Sequence, residues 1–430
     1  MSRETGLTPR FAAWRILHDV RLGVPFDVAL GRAVVGLEPD DRRLAHQLAA
    51  GVFRMRSQLD SVLEGAVSRG TASVKADTLD VLRIGVFQLR GLDRIPTHAA
   101  VQTSVEAARR VGGEKVAGFV NAVLRRVAAQ PAAFDTVPPD PAAEHSHPPW
   151  LVERWLARHG EADTVRRLEW NNTQPPLILQ PARWPMDRLL EELDRAGVAH
   201  HPAPYGAGVV ASVRSPTEVA GFADGGFVVQ DSAQRLVAQF CEPGAGVLYD
   251  ACASPGGKTV ALAGRSRQIV AADRTRARVA RLRETVERAA AGVVWPIRAD
   301  AAAPPLRQVD AVLLDVPCLG TGTFARNPDA RWRVTPDALT SLAAQAHRFL
   351  RAVAEIVAPG GLLLFATCSL EPEENELQID RFLAEDGRFR REPGNAVPAE
   401  LRSPAGDLVL LPERHGTDGA YAARLRKLTA

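Results

Sequence analysis

The 430-residue chain has few cysteines and no long apolar run. Its four cysteines are Cys241, Cys252, Cys318 and Cys368, and none belongs to a Cys-x-x-Cys pair or has histidines at zinc-finger spacing. We therefore expect free thiols, no bound metal and a reducing cytoplasm as the location. No apolar stretch approaches the roughly 18 residues that cross a membrane, and the first residues lack the apolar segment of a secretory signal. These absences predict a protein without a membrane partner.

Lysine is also scarce, since only four of the 53 basic residues are lysines. The arginine bias runs through the whole chain and therefore indicates little about function. Residues 1–130 carry 19 Lys and Arg against 13 Asp and Glu. A basic N-terminal part is compatible with a phosphate-backbone partner, but an ordinary solvated surface explains it equally well.

Apolar spacing divides the chain into segments. Residues 8–129 show helical periodicity interrupted by Gly and Pro breakers, as in Leu79, Leu82, Val86 and Leu89, which predicts a compact helical domain. The stretch 131–149 is rich in Pro, Ala and Asp, which is typical of a linker. The predicted organisation is a helical domain over 1–130, a linker over 131–149, a small α+β region over 150–235 and an α/β domain over 236–430.

The α/β domain is predicted from strands that alternate with helices from about Val247 onward, which indicates a mostly parallel, doubly wound sheet. We expect Leu408–Leu411 and Tyr421–Leu425 to complete this sheet as edge strands. In the small α+β region, His200 and His201 precede a proline and are predicted to lie in a loop.

Four predicted strands end in an aspartate: Asp250, Asp273, Asp300 and Asp315. Ligands of open α/β sheets bind at the carboxyl ends of the strands, so a shared cofactor site is expected there. Asp273 lies about 20 residues beyond the first turn, where a carboxylate commonly accepts from ribose hydroxyls. Asp300 is placed to meet an adenine amino group. For each residue alone, a helix N-cap remains an equally good interpretation.

The turn Cys252–Thr259 contains two adjacent glycines between a predicted strand and a helix. The phosphate-binding loop pattern requires glycine where this chain has Cys252, and the triple glycine of a dinucleotide site is missing. S-adenosylmethionine fits better, because its sulfonium needs close backbone approach and carboxylates rather than a pyrophosphate cradle. Gly256 and Gly257 permit such an approach.

Cys318 and Cys368 follow apolar runs at strand ends, in Asp-Val-Pro-Cys and Thr-Cys-Ser. A thiolate that adds to C6 of a pyrimidine makes C5 nucleophilic, so the donor turn and these thiols favour methyl transfer to C5. Asp315 is placed to bond the cytosine edge. The alternative, a small buried hydrophobe, is favoured for Cys241 and Cys252. The residues themselves do not indicate which thiol attacks.

These motifs resemble the RNA cytosine-5 methyltransferases, in particular the bacterial branch that methylates 16S ribosomal RNA and carries a NusB-like helical domain. The resemblance covers nearly the whole chain and rests on the following stretches: Pro96–Val101, Gly118–Arg126, Val229–Asp231, Cys252–Thr259, Asp315–Gly322, Arg326–Asp329 with Trp332, Pro359–Ser369 and Asp418–Gly419. It implies three parts, namely a NusB-like domain, a small α+β region and a Rossmann-like, S-adenosylmethionine-dependent class I methyltransferase domain.

The resemblance also implies roles for individual residues. Cys368 would be the nucleophile, and Cys318 would assist breakdown of the adduct. The methyl donor would be held by ten residues: Cys252, Ala253, Ser254, Pro255, Gly256, Gly257, Lys258, Asp273, Asp300 and Asp315. The implied target is a 16S rRNA cytosine of the 967 class, and a monomer is expected. For Lys258 the alternative is a surface cation in the first turn of a helix.

Other readings remain open at this stage. A tRNA, DNA or other RNA cytosine-5 methyltransferase would share the same motifs. A non-catalytic NusB-like RNA-binding or antitermination factor would explain the helical domain, but it would need neither the donor turn nor the two thiols. The stretch from Arg326 to Arg333 is predicted to grip RNA through its arginines and Trp332, with a solvated loop as the alternative.

Overall fold

The computed structural model describes residues 8–130, 140–213 and 215–429. These residues form two units, one comprising the chain up to Thr173 together with Phe324–Arg333, and the other comprising 174–323 and 334 onward. No helix in the described ranges combines the length and apolarity that crossing a membrane requires. The boundaries predicted at 130, 149 and 235 stay predictions.

The first unit, here called the helical unit, is built from amphipathic helices. Their apolar stripes meet in one core, where Leu48, Leu63, Leu82 and Leu124 are completely buried. The helices are α1 (Thr8–Arg21), α2 (Phe26–Ala33), α3 (Pro39–Arg54), α4 (Arg56–Ala66), α5 (Ala76–Gly91), α6 (Thr97–Ala129), α7 (Pro141–Glu144) and α8 (Pro149–Asn172). The prediction of a helical domain is confirmed.

The predicted linker over 131–149 is only partly described. Residues 131–139 lie outside the described residues. In the remainder, the Asp140 side chain accepts from the first amides of α7 and so caps that helix. Ser146 and His147 are buried, and the His147 ring contacts Trp155 of α8. The stretch 140–149 is therefore folded, because its polar groups find partners within the helical unit.

The segment Phe324–Arg333 is also part of the helical unit. Arg331 is completely buried and donates to the Asn172 side chain at 2.6 Å and to the Asn171 carbonyl at 2.7 Å. Trp332 is half-buried and donates through its indole nitrogen to the Phe53 carbonyl at 2.8 Å. The expectation that this stretch grips RNA is therefore wrong for Arg331, and it stays a prediction for the rest of the stretch.

The second unit, here called the sheet unit, begins with a small antiparallel sheet of order β2-β3-β1-β4, which one helix accompanies. Its elements are β1 (Ile178–Pro181), α9 (Met186–Arg195), β2 (His200–Pro202), β3 (Val209–Ala211) and β4 (Phe227–Val229). The small α+β region is confirmed. The loop predicted at His200 and His201 is wrong, because both residues pair with β3.

The larger sheet of this unit has the order β10-β12-β9-β8-β5-β6-β7, with β11 paired to β12. Its strands are β5 (Val247–Asp250), β6 (Gln268–Asp273), β7 (Val294–Arg298), β8 (Val309–Asp315), β9 (Val357–Thr367), β10 (Phe389–Arg391), β11 (Leu408–Leu410) and β12 (Ala420–Lys427). Strands β5 to β9 are parallel, as the alternating pattern predicts. Strand β12 is antiparallel and lies between β9 and β10, so the expectation of an edge strand over Tyr421–Leu425 is wrong.

Helices cover this sheet and leave the carboxyl ends of β5, β6, β8 and β9 at one edge. They are α10 (Ser232–Cys241), α11 (Gly257–Leu262), α12 (Arg276–Arg288), α13 (Pro336–Glu355), α14 (Glu376–Glu385) and α15 (Pro412–His415). Parallel strands that share one carboxyl edge bring together residues that are far apart in the sequence. The four strand-end aspartates and the two thiols lie there.

Candidate active site

The turn between β5 and α11 requires its two glycines. Gly256 has φ +109°, and a Cβ added to it would lie 2.9 Å from Leu282 Cδ1. A Cβ on Gly257 would lie 2.7 Å from Gln230 Nε2. The positive φ at Gly256 therefore favours glycine, whereas a larger residue at Gly257 would require the end of the Gln230 side chain to move.

Asp250 ends β5 beneath this turn and is fully buried. Its Oδ2 accepts from the Thr259 hydroxyl at 2.6 Å, which ties the strand end to α11. Burial raises the pKa of Asp250 to about 7, and the Thr259 hydrogen bond only partly offsets this effect. Asp250 thus stabilises the turn from below.

Asp273 ends β6 and Asp300 follows the end of β7 by two residues, and neither caps a helix. Asp273 Oδ1 accepts from the Arg274 amide at 2.7 Å, while the cap of α12 is Thr275. Asp300 Oδ1 accepts from the Ala302 amide at 2.9 Å in a tight turn. The helix-cap interpretation is therefore wrong for both residues.

Two carboxyl oxygens at this edge, Asp250 Oδ1 and Asp273 Oδ2, accept no hydrogen bond from the described residues. Asp273 is 3% exposed, and its Oδ2 lies 3.6 Å from an Nη of Arg278, which is an ion-pair rather than a hydrogen-bond distance. A buried carboxylate oxygen without a donor is costly. A ribose hydroxyl would supply that donor, so the residues present fit the adenosine part of S-adenosylmethionine.

Lys258 is buried beside the end of β8. Its ammonium lies 2.7 Å from Asp315 Oδ2 and also donates to the Gln234 side chain. Burial acts to lower the pKa of Lys258, but the Asp315 carboxylate outweighs it and raises that pKa. The interpretation of Lys258 as a surface cation is wrong, since its side chain is only 13% exposed.

The two thiols that follow β8 and β9 meet. Cys318 Sγ lies 3.4 Å from Cys368 Sγ, and both cysteines are free and half-buried. The hydrogen bond to Cys368 raises the pKa of Cys318 well above its ordinary value, and burial adds to this effect. Two thiols at this distance share a proton, so one sulfur can carry negative charge while the other remains protonated.

The other two cysteines differ from this pair. Cys241 is 1% exposed at the end of α10, and burial raises its pKa to about 12. Burial also raises the pKa of Cys252, which lies half-buried in the turn between β5 and α11. Both thiols are therefore unreactive, as expected of small apolar residues. Within the described ranges, no group of three or more His, Cys, Asp or Glu is placed to hold a metal.

Several further residues support the site. Asp231 Oδ1 accepts from the amides of Ala233 and Asp418, so it both caps α10 and holds the loop before β12. Gly419 packs against Gly322, whose Cβ, if present, would lie 2.6 Å from Gly419 Cα. A buried polar run, Glu374 and Asn375, follows Cys368. Only the presence of polar residues directly after a strand end hinted at this run.

Comparison with known proteins assigns each part of the chain. Residues 242–426 match the family described as "16S rRNA methyltransferase RsmB/F". Residues 9–129 match the NusB family, and residues 147–217 match the ferredoxin-like domain of RsmF/B-like methyltransferases. The predicted NusB-like domain is confirmed.

Relatives match over their full length. The chain is 34% identical to "Probable ribosomal RNA small subunit methyltransferase B" of Synechocystis sp., over 98% of this chain and 100% of that protein. It is 31% identical to ribosomal RNA small subunit methyltransferase B of Vibrio cholerae, over 97% and 96% of the two chains. The crystal structure of PH0851 superposes with a TM-score of 0.80 at 24% identity, over 97% of this chain and 99% of that chain, and supports the fold.

These matches confirm the predicted fold class and the predicted methyl donor, S-adenosylmethionine. They also agree with the buried Asp273 oxygen and the glycine turn at the carboxyl edge of the sheet. On this evidence the chain belongs to the ribosomal RNA small subunit methyltransferase B family.

Proposed function

We propose that the protein transfers a methyl group from S-adenosylmethionine to C5 of a cytosine in 16S rRNA, through an adduct between Cys368 and C6 of the base. The observation that carries this proposal is the thiol pair, with Cys318 and Cys368 3.4 Å apart. Methyl transfer to oxygen or nitrogen needs no thiol, whereas methyl transfer to C5 of a pyrimidine needs a nucleophile at C6.

The donor is assigned to the glycine turn and the strand-end aspartates. Bound S-adenosylmethionine supplies an electrophilic methyl group. Residues Cys252 to Lys258 hold it by backbone approach, Asp273 accepts from its ribose and Asp300 faces its adenine. Asp315 and Lys258 complete the donor site next to the thiols.

In the first step, the Cys368 thiolate forms a bond to C6, and the electron pair of the C5=C6 bond moves onto the ring. C5 then forms a bond to the methyl group, and the bond between that group and the sulfonium breaks with its electron pair staying on sulfur. In the last step a base takes the proton from C5, the pair of that C–H bond restores C5=C6, and the C6–S bond breaks. Cys368 leaves as a thiolate, so the net products are methylcytosine, the demethylated donor and one proton.

Cys318 is the proposed base for the last step. In the free enzyme its pKa is raised chiefly by the hydrogen bond to Cys368, so it is a thiol. Once Cys368 is bonded to C6, its sulfur is a neutral thioether, and that cause of the raised pKa is removed, while burial still raises the pKa. In this proposal Cys318 then gives its proton to solvent, and the resulting thiolate accepts the C5 proton. Adduct formation itself would therefore activate the base.

Asp315 and Lys258 are assigned to recognition of the base. The Asp315 carboxyl pairs with Lys258 and accepts from the exocyclic amine of cytosine. Uracil offers a carbonyl at that position and would be repelled. This role keeps the expectation that Asp315 bonds the cytosine edge.

The RNA substrate is proposed from the family and the helical domain. The relatives' names specify small-subunit ribosomal RNA, and the target cytosine of the 967 class is part of this proposal. An unstacked base is needed, because C5 and C6 must be reached from the face of the ring.

Bisulfite mapping of 16S rRNA from a strain that lacks the gene tests the target. We expect loss of one methylcytosine, restored by the wild-type gene but not by Cys368→Ala. An unchanged 16S profile would contradict the proposed substrate.

Purified variants test the chemistry. Cys368→Ala should bind S-adenosylmethionine and transfer no methyl group, whereas Cys318→Ala should accumulate a protein–RNA species that survives denaturing electrophoresis. Cys241→Ala is the matched control, because it removes a buried thiol away from the pair. Full activity of Cys368→Ala would refute the assigned nucleophile.

A further inference from the structure

Asn375 forms hydrogen bonds with the residues on both sides of Cys368. Its Oδ1 accepts from the Thr367 hydroxyl at 2.5 Å, and its Nδ2 donates to the Ser369 carbonyl at 2.9 Å. The Thr367 hydroxyl in turn accepts from the Ser369 amide at 3.2 Å. Asn375 is 5% exposed, so its amide group makes these bonds away from bulk water.

Glu374, the preceding residue, forms hydrogen bonds with the loop that contains Cys318. Both of its carboxyl oxygens accept from the Leu319 amide, at 3.0 and 3.2 Å, and this amide directly follows Cys318. Glu374 is 1% exposed. A buried carboxyl is costly, and burial raises its pKa to about 7, although hydrogen bonds from the Ser369 side chain and the Leu319 amide partly offset this effect. The carboxyl therefore contacts both thiol loops, and its hydrogen bonds to the backbone are on the Cys318 side.

We propose that Glu374 and Asn375 are positioning residues that act on separate steps: Asn375 orients Cys368 for attack on C6, and Glu374 places Cys318 for release of the methylated base. This inference rests on the proposed function above. Neither side chain is assigned a contact with the substrate, and each acts through the backbone beside a thiol.

The two positions are coupled by the chain itself. Glu374 and Asn375 are consecutive residues at the start of α14, so one short segment sets the positions of both sulfurs. Further bonds join the loops, because the Gly322 amide donates to the Cys368 carbonyl at 3.0 Å and the Leu370 amide donates to the Thr321 hydroxyl at 2.8 Å. These bonds do not involve Glu374 or Asn375, so the loops keep their general course when either residue is replaced.

The inference predicts opposite effects of the two substitutions. Glu374→Ala leaves adduct formation intact and slows release, so the covalent protein–RNA species should rise about tenfold over wild type. Asn375→Ala slows the attack, so adduct formation in a single turnover should fall about tenfold. A loss of fold would lower both quantities together and cannot produce this divergence.

Conservative variants sharpen the test. Glu374→Gln keeps one acceptor for the Leu319 amide and should restore most of the release rate. Asn375→Asp keeps the acceptor for Thr367 but cannot donate to Ser369, and should remain slow. Asp380→Asn is the control. Asp380 is an exposed residue of α14, and its carboxylate pairs with Arg391 of β10.

The experiment measures the adduct by denaturing electrophoresis and S-adenosylmethionine binding by calorimetry, with the full-length variants and a 16S rRNA fragment. In the Cys318→Ala background, adding Asn375→Ala should reduce the trapped adduct about tenfold. If Cys318→Ala traps no adduct, the proposed function itself fails. If it traps adduct while Glu374→Ala does not, only the present inference is overturned. Loss of donor binding in both alanine variants would also overturn it, because it would indicate a purely structural role.

Discussion

Lys258 in the sheet unit and Arg331 in the helical unit are both buried cations, but their surroundings differ. Lys258 faces a carboxylate, that of Asp315, which raises its pKa although burial alone would lower it. Arg331 meets only neutral oxygens: the carbonyls of Ser146, Asn171 and Phe324 and the side chain of Asn172. Burial lowers the pKa of Arg331 to about 9.

The difference indicates what each cation does. Asp315 remains 29% exposed, so the ion pair with Lys258 stays accessible and can rearrange around a ligand. Arg331 is completely buried, and its two Nη groups donate to three backbone carbonyls and to the Asn172 side chain, so it stabilises the fold of the helical unit. An arginine within a motif is therefore not by itself evidence of a binding surface.

The largest expected effect is that of Arg331→Met on stability. The substitution leaves several buried acceptors without a donor, each costing about 1–3 kcal/mol, so the free energy of unfolding should fall by about 4 kcal/mol. Urea denaturation of the full chain measures this change. Methylation at low temperature should persist in the folded fraction. A stable variant that has lost RNA binding would instead restore the RNA-gripping interpretation.

Lys258→Met should lower activity more than stability, which is the reverse of the effect expected for Arg331→Met. We expect methylation to fall about 100-fold, because Asp315 loses the partner that holds it beside the thiols. The free energy of unfolding should change by about 1 kcal/mol or less, since the partly exposed Asp315 can be solvated by water. Initial rates and urea curves of the same preparation test the pair of expectations. Unfolding without a specific loss of activity would remove the contrast with Arg331.

Asp250 extends the comparison to a buried anion held by a neutral partner. Its pKa is about 7 in the folded chain and about 4 when unfolded. The folded state therefore binds more protons between pH 4 and 7, and the free energy of unfolding falls as the pH rises through this window. Asp250→Asn should remove this fall, because the amide stays neutral and still accepts from Thr259. If the free energy of unfolding depends on pH in the same way in the wild type and in Asp250→Asn, the raised pKa of Asp250 is contradicted.

The smallest effect is expected for an exposed ion pair. Arg388 contacts Glu355 and Asp386 on the surface, and these carboxylates raise its pKa. Solvent screening nevertheless makes such pairs worth less than about 1 kcal/mol. Arg388→Gln should therefore leave both unfolding and methylation nearly unchanged. A larger loss of stability would show that opposite charge, rather than burial, dominates the energetics of these sites.

Much of the fold follows from local patterns. The alternation of strands and helices after Val247 predicted the parallel sheet, and helical periodicity predicted the N-terminal domain. The predicted edge position of Tyr421–Leu425 was wrong, because strand order depends on pairing between residues far apart in the sequence, and apolar periodicity contains no information about such pairing. The role of Arg331 was misassigned for a related reason, since its partners at Ser146 and Asn171 lie far away in the sequence.

The candidate site shows the same division. The aspartates, the glycine turn and the two thiols were all found from residue type and spacing, and their grouping followed from the shared carboxyl edge of parallel strands. Glu374 and Asn375 were not found, because nothing in a polar run after a strand indicates which backbone amides it will meet. Whether the predicted residue roles hold remains for the variants above to test.

By itself, the amino-acid sequence determined which chemical groups this protein has and the order in which they end the strands. Tertiary structure alone decided that Cys318 and Cys368 stand 3.4 Å apart, that Lys258 is paired rather than solvated, and that Arg331 is enclosed. The physical reason is that strand ends and periodicity are local properties of the chain. A thiol pair, a buried ion pair and a buried guanidinium bonded to carbonyls arise only when segments distant in the sequence pack together and exclude water.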